Sequence, residues 1–229
     1  MQDASGPIPP LSSEKCDHHA QSHLRNRRGR LARRLSKWRE EQLARKALAL
    51  AGTPTLVLDL PCGGGRYWPL LAEHPGRVII GADDSVAALD VARAAHPPSL
   101  TDRVRTLQTS ALDICLPDRS VDCIFSMRVA HHAGDTAQRL AMLREFHRVA
   151  RDTVILSLPV DGNYKAWKHR RLQRKRAQRG ENTPLKCAAL STHVIEQEYR
   201  ASGFQILGHF DFLPLYATGR VYVLRRGGA

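Results

Sequence analysis

The stretch LVLDLPCGGGR at residues 56–66 constrains this chain more than any other. Residues 55–60 (TLVLDL) are apolar almost without interruption, which predicts a buried strand carrying Asp59 near its carboxyl end. Gly63, Gly64 and Gly65 follow, and glycines in such a loop let the backbone turn tightly and approach a ligand closely. A helix is predicted from about Tyr67 to Glu73. Strands and helices then alternate: strand 77–82, helix 86–95, strand 104–109, a turn at 117–120, strand 121–126, helix 136–150 and strand 153–158. Alternation of this kind predicts an α/β fold, a mostly parallel sheet with helices on both faces. Ser191 reads as the N-cap of a helix ending at Gly203. The runs 204–213 and 219–226 are joined closely enough to favour an antiparallel pair.

The flanks differ from this core. Residues 1–23 show no periodicity and read as a flexible tail. From Leu31 to Leu50, apolar residues recur every three to four positions, which predicts a basic amphipathic helix within 24–53. The third unit, 54–229, is interrupted at 161–189 by a basic insertion. The net charge of +13 sits in two places. Residues 25–46 hold ten basic residues against Glu40 and Glu41, and 165–179 hold eight with no acid. A near-neutral domain with two basic additions suits an anionic partner. No apolar run approaches the roughly 20 residues of a bilayer span. The start of the chain lacks a secretory pattern, and five scattered cysteines form no C-x-x-C pair. The expectation is a cytoplasmic protein with reduced thiols and no metal centre, with peripheral contact at the inner membrane surface through its basic helices.

The acids define the ligand class. Asp83 follows the second strand, 24 residues beyond Asp59, and a carboxylate there can accept two hydrogen bonds from a ribose diol. Nicotinamide dinucleotides and S-adenosylmethionine both carry one. A dinucleotide loop needs G-x-G-x-x-G so that pyrophosphate meets a helix N-terminus. Counted from Gly63, the third glycine falls at Trp68, and counted from Pro61 the first is missing. Asp59 would also repel a phosphate, whereas it suits the ammonium of a methionine moiety.

On these residues the chain resembles the class I S-adenosylmethionine-dependent methyltransferases, particularly the type 11 group acting on small molecules. The first family motif, D/E-x-G-x-G-x-G, stands here as Asp59, Pro61, Gly63 and Gly65, and GADDS supplies the second-strand acid at Asp83. The resemblance spans about 54–226. It implies a Rossmann-like sheet of seven strands with an antiparallel last strand. It also implies S-adenosyl-L-methionine as cofactor, with Asp59, Pro61, Cys62, Gly63, Gly65, Asp83, Asp84, Ser110, Ala111 and Met127 around it. Two positions depart from the family. Pro61 replaces the first glycine and removes an N–H. Ser110 stands where many relatives place an acid toward the adenine amine, and a hydroxyl is a neutral, weaker acceptor.

Methyl transfer needs mainly an acceptor held in line, and a hydroxyl acceptor can also require a base. SMRVAHH, at the end of the fourth strand, offers His131 and His132 as bases and Arg128 as an anion-binding group. No N/D-P-P-Y/F motif or cysteine arrangement for nucleic-acid methylation is present. Tyr164 and Trp167 precede the second basic run. That pairing suits a membrane-proximal or phosphorylated acceptor, such as a glycan or lipopolysaccharide core, through O-methylation. It also suits RNA, through phosphate contacts and stacking. A non-catalytic cofactor-binding scaffold is the third reading, motivated by Pro61 and Ser110.

Overall fold

The computed structural model describes residues 27–127, 136–161, 171, 190–213 and 219–227, with side chains from residue 33 onward. The chain divides into two units, Met1–Ser36 and Lys37–Ala229. Of the first unit, residues 27–36 are described and are helical. The elements in order are α1 (Arg27–Leu50), β1 (Leu56–Asp59), α2 (Trp68–Leu71), β2 (Val78–Asp83), α3 (Val86–Ala94), α4 (Pro98–Thr101), β3 (Val104–Gln108), β4 (Val121–Ser126), α5 (Thr136–Val149), β5 (Ala150–Pro159), α6 (Thr192–Ala201), β6 (Phe204–Asp211) and β7 (Gly219–Arg226).

The strands form a seven-stranded sheet in the order β3-β2-β1-β4-β5-β7-β6. β1 to β5 run parallel, and β7 enters antiparallel between β5 and β6. This is the Rossmann-like arrangement expected from the sequence. The strand order reverses where β1 meets both β2 and β4, the point at which open α/β sheets form a crevice beyond the strand ends.

Two apolar layers cover the sheet. On one face Phe146 and Leu143 of α5 and Ile195 and Tyr199 of α6 pack on Leu58, Ile124, Leu156 and Tyr222. On the other, Leu43, Ala44, Ala47 and Leu48 of α1 join Val57, Trp68, Phe125 and Val223. Leu43 is 2% exposed and Ala47 fully buried, so the stretch from Leu43 onward belongs to the folded domain. Burial of a leucine at such a site contributes about 1.5–3 kcal/mol. Gly52 stops α1 at a φ of 83°. Its N–H reaches Ala49 O at 3.1 Å and that of Thr53 reaches Leu48 O at 3.0 Å, the paired bonds of a glycine-terminated helix.

Three local expectations change. The helix after the glycine loop spans only Trp68–Leu71. A further turn of helix, α4, occupies Pro98–Thr101, where proline opens the turn. Ser191 is the N-cap of α6 in position, yet its side chain makes no capping bond. Asp161 does that work, its Oδ1 accepting from Thr192 N–H at 3.3 Å. The basic insertion falls outside the described residues apart from Asp161 and Arg171.

Candidate functional site

The glycine loop is built by backbone bonds at the switch point. Leu60 N–H donates to Phe125 O of β4 at 3.1 Å, and Cys62 N–H to Ala82 O of β2 at 2.8 Å. The loop therefore straddles both neighbours of β1. Pro61 follows a cis peptide bond. Gly63 and Gly65 adopt φ values of 51° and 68°, a region that side chains with a Cβ rarely enter. A Cβ on Gly63 would meet nothing within 4 Å, so the loop leaves open space there.

Asp83 braces this loop. Its Oδ2 accepts from Gly63 N–H at 2.9 Å and its Oδ1 from Ser85 N–H at 3.1 Å. Burial pushes its pKa upward, opposed by those two backbone bonds. Asp84, the next residue, is exposed. Asp59 is 1% exposed, and its Oδ2 has no hydrogen-bond partner. Burial first, and then the charge of Asp83, raise the Asp59 carboxyl well above the ordinary aspartate range. Cys62 is buried beside the two acids, and burial pushes its thiol upward too, which suits a small packing residue better than a nucleophile.

Beyond β3, Ser110 Oγ accepts from Leu112 N–H at 3.2 Å. The hydroxyl is thus already engaged in its own turn. Ala111 and Met127 are buried at 9% and 6%, at the carboxyl ends of β3 and β4. Arg128, His131 and His132 lie outside the described residues.

Three residues that sequence reasoning passed over also shape the loop. Trp68 is fully buried beneath it. A Cβ on Gly65 would lie 2.8 Å from its indole, and one on Gly81 only 2.5 Å. The signal was Gly81, since a glycine inside a strand marks close approach by another group. His96 places Nε2 2.9 Å from Gly65 O. Glu40 of α1 meets Arg66 at 2.5 Å, and Tyr67 Oη donates to it at 3.4 Å. The helix before the sheet therefore grips the end of the glycine loop.

The pocket's chemistry suits a cationic, ribose-bearing group. An unpartnered buried carboxylate oxygen calls for a donor or cation. A second acid stands by at the end of β2, and Gly63 leaves the backbone open to close approach. Together with the sheet order, these features define a class I methyltransferase fold.

Residues 57–153 match the family model described as a methyltransferase domain. Two strains of Mycobacterium tuberculosis carry a probable S-adenosylmethionine-dependent methyltransferase that is 31% identical over 119 residues. The match takes in 52% of this chain and 40% of that protein, so the chain spans well under half the length of these curated relatives. Among solved structures, magnesium protoporphyrin IX methyltransferase of Synechocystis with bound S-adenosylhomocysteine superposes with a TM-score of 0.72 at 16% identity, over 93% of this chain and 94% of that one. The [4+2]-cyclase SpnF gives 0.62 at 14% identity, over 82% and 81%. Residues 57–153 thus match a methyltransferase domain, and together with the fold they support a class I S-adenosylmethionine-dependent methyltransferase, with which the type 11 group is consistent. S-adenosylmethionine is accordingly its cofactor.

Asp59 gives the site a pH signature. Its pKa in the folded protein lies above the unfolded value. Between the two values the native state binds more protons than the unfolded state, so stability falls as pH rises through that interval. The thermal midpoint of the cofactor-free protein should therefore decline on raising the pH, and Asp59→Asn should flatten that decline. A variant profile parallel to the wild type would assign the dependence elsewhere.

Proposed function

We propose that the chain transfers the methyl group of S-adenosylmethionine to an oxygen of a small or membrane-proximal anionic acceptor, such as a phosphorylated glycan or lipopolysaccharide core. The observation that carries the cofactor half is the pairing of Asp83, holding the glycine loop through Gly63 N–H at 2.9 Å, with Asp59, whose Oδ2 has no partner. When bound, S-adenosylmethionine supplies an electrophilic methyl on a sulfonium. Asp59 would face the ammonium of its methionine moiety and Asp83 the ribose hydroxyls. Ala111 and Met127 would form apolar walls, and Ser110 would offer the adenine edge only a hydroxyl that its own turn already uses. Asp84, exposed beside Asp83, would sit at the rim.

The acceptor half rests on charge. The basic segments 25–46 and 165–179 flank an otherwise near-neutral domain. Arg128 would pair with the acceptor's anionic group, and His131 or His132 would take the hydroxyl proton. RNA is the alternative acceptor that the same charge supports. A non-catalytic cofactor-binding scaffold, motivated by Pro61 and Ser110, is the remaining alternative.

Calorimetric titration with S-adenosylmethionine and S-adenosylhomocysteine, with NAD as control, tests the cofactor half. Both sulfur compounds should bind and NAD should not. Asp83→Ala should weaken binding at least about tenfold, equivalent to about 1.4 kcal/mol. Unchanged affinity would remove Asp83 from the ribose. Transfer of a labelled methyl group to anionic glycolipid, rather than to RNA, tests the acceptor half. Label on RNA alone would replace it, and cofactor binding without transfer to any acceptor would favour the scaffold.

A further inference from the structure

The helix α1 is apolar on two sides. At 3.6 residues per turn, Leu43, Ala44, Ala47 and Leu48 share one side, and all four are buried in the layer against the sheet. Leu35 and Trp38, three residues apart, share the other. Leu35 is 66% exposed and Trp38 is 54% exposed. An exposed tryptophan and leucine one turn apart carry a cost in water that a surface helix ordinarily avoids. Around them the charge is mainly positive, Glu41 pairing with Lys37 at 3.9 Å. Residues 27–39 hold seven basic residues and no acid, and Arg33, Arg34 and Lys37 are exposed.

We propose that this outer side of α1 docks on an anionic lipid surface, with Leu35 and Trp38 entering the boundary between headgroups and acyl chains and the arginines meeting lipid phosphates. A tryptophan beside an aliphatic residue, ringed by arginines, is the composition of a helix lying in a membrane interface. Nucleic acid would reward the arginines and could stack on Trp38, but it offers nothing to Leu35. The inference gives the membrane-proximal reading of the acceptor a particular surface. Docking is measured without cofactor or acceptor, so it can fail while methyl transfer stands, and the reverse.

The test is sedimentation of the full chain with vesicles of phosphatidylglycerol and phosphatidylcholine, against vesicles of phosphatidylcholine alone. Binding is expected only to the anionic vesicles, and weaker as salt rises. The double variant L35S/W38S keeps every charge and should bind about tenfold or more weakly. L35I/W38F should bind as the wild type does. Calorimetry with S-adenosylmethionine should be unchanged in both variants, confirming the fold. Unchanged vesicle binding by L35S/W38S, or no binding by the wild type, would overturn the proposal. Preferential binding to an RNA hairpin that L35S/W38S also loses would overturn it too, and would assign the surface to RNA.

Discussion

Arg139→Ala is expected to destabilise the protein by about 3–5 kcal/mol, the cost of leaving one member of a buried ion pair uncompensated. Arg139 of α5 grips Glu198 of α6 through two bonds, Nε to Oε2 at 3.0 Å and Nη2 to Oε1 at 2.7 Å. Nη2 also donates to Thr136 Oγ1 at 2.9 Å. The two side chains are 8% and 9% exposed, so water cannot take over when the guanidinium is lost. Denaturant unfolding of the cofactor-free protein measures the loss. The double variant Arg139→Met with Glu198→Leu should recover most of it, because the charge that causes the penalty is gone. A single variant within about 1 kcal/mol of wild type would show that Glu198 finds another partner. The segment carrying Arg128, His131 and His132 directly precedes α5 in sequence; if it holds the acceptor as proposed, a weakened α5–α6 contact should lower methyl transfer more than cofactor affinity.

Gly81→Ala is the second large effect. Its new Cβ would stand 2.5 Å from the Trp68 ring, closer than any real contact, and a fully buried indole has nowhere to go. Overpacking of this kind costs about 1–3 kcal/mol. Any movement of the ring also presses on Gly65, whose own Cβ position lies 2.8 Å from the same indole. The variant should therefore lose cofactor affinity along with stability. Trp68→Leu in the Gly81→Ala background should restore part of both. Full cofactor affinity in Gly81→Ala alone would show that loop and ring move independently.

Much of this architecture was legible in the residues. Apolar runs such as VDCIFS mark strands buried on both faces, and β4 begins and ends where that run does, at Val121 and Ser126. The helix α1 ends where Gly52 predicts. Short elements were less legible. Pro97 and Pro98 read as a connection because a single turn of helix shows no periodicity. The helix after the glycine loop was overextended because Leu71 and Ala72 continue the apolar pattern for reasons of burial. Asp59 and Asp83 stood out because each closes an apolar run that reads as a buried strand. The bracing of the loop by Glu40 and Arg66 was invisible, since two residues 26 positions apart meet only through the tertiary fold. The capping role of Asp161 was hidden for the same reason: it lies 31 residues before its partner.

The position of β7 has a consequence for the order in which the sheet is assembled. The strand nearest the carboxyl end is an inner one, flanked by β5 and β6. Until Gly219–Arg226 is available, β6 has no neighbour to join, and β5, with Val154, Ile155 and Leu156 wholly or almost wholly buried in the finished fold, keeps an open apolar edge. Such an edge is a template for pairing with another chain. During synthesis the two strands beyond β5 cannot join the sheet until β7 has left the ribosome, so exposure to aggregation is greatest in that interval.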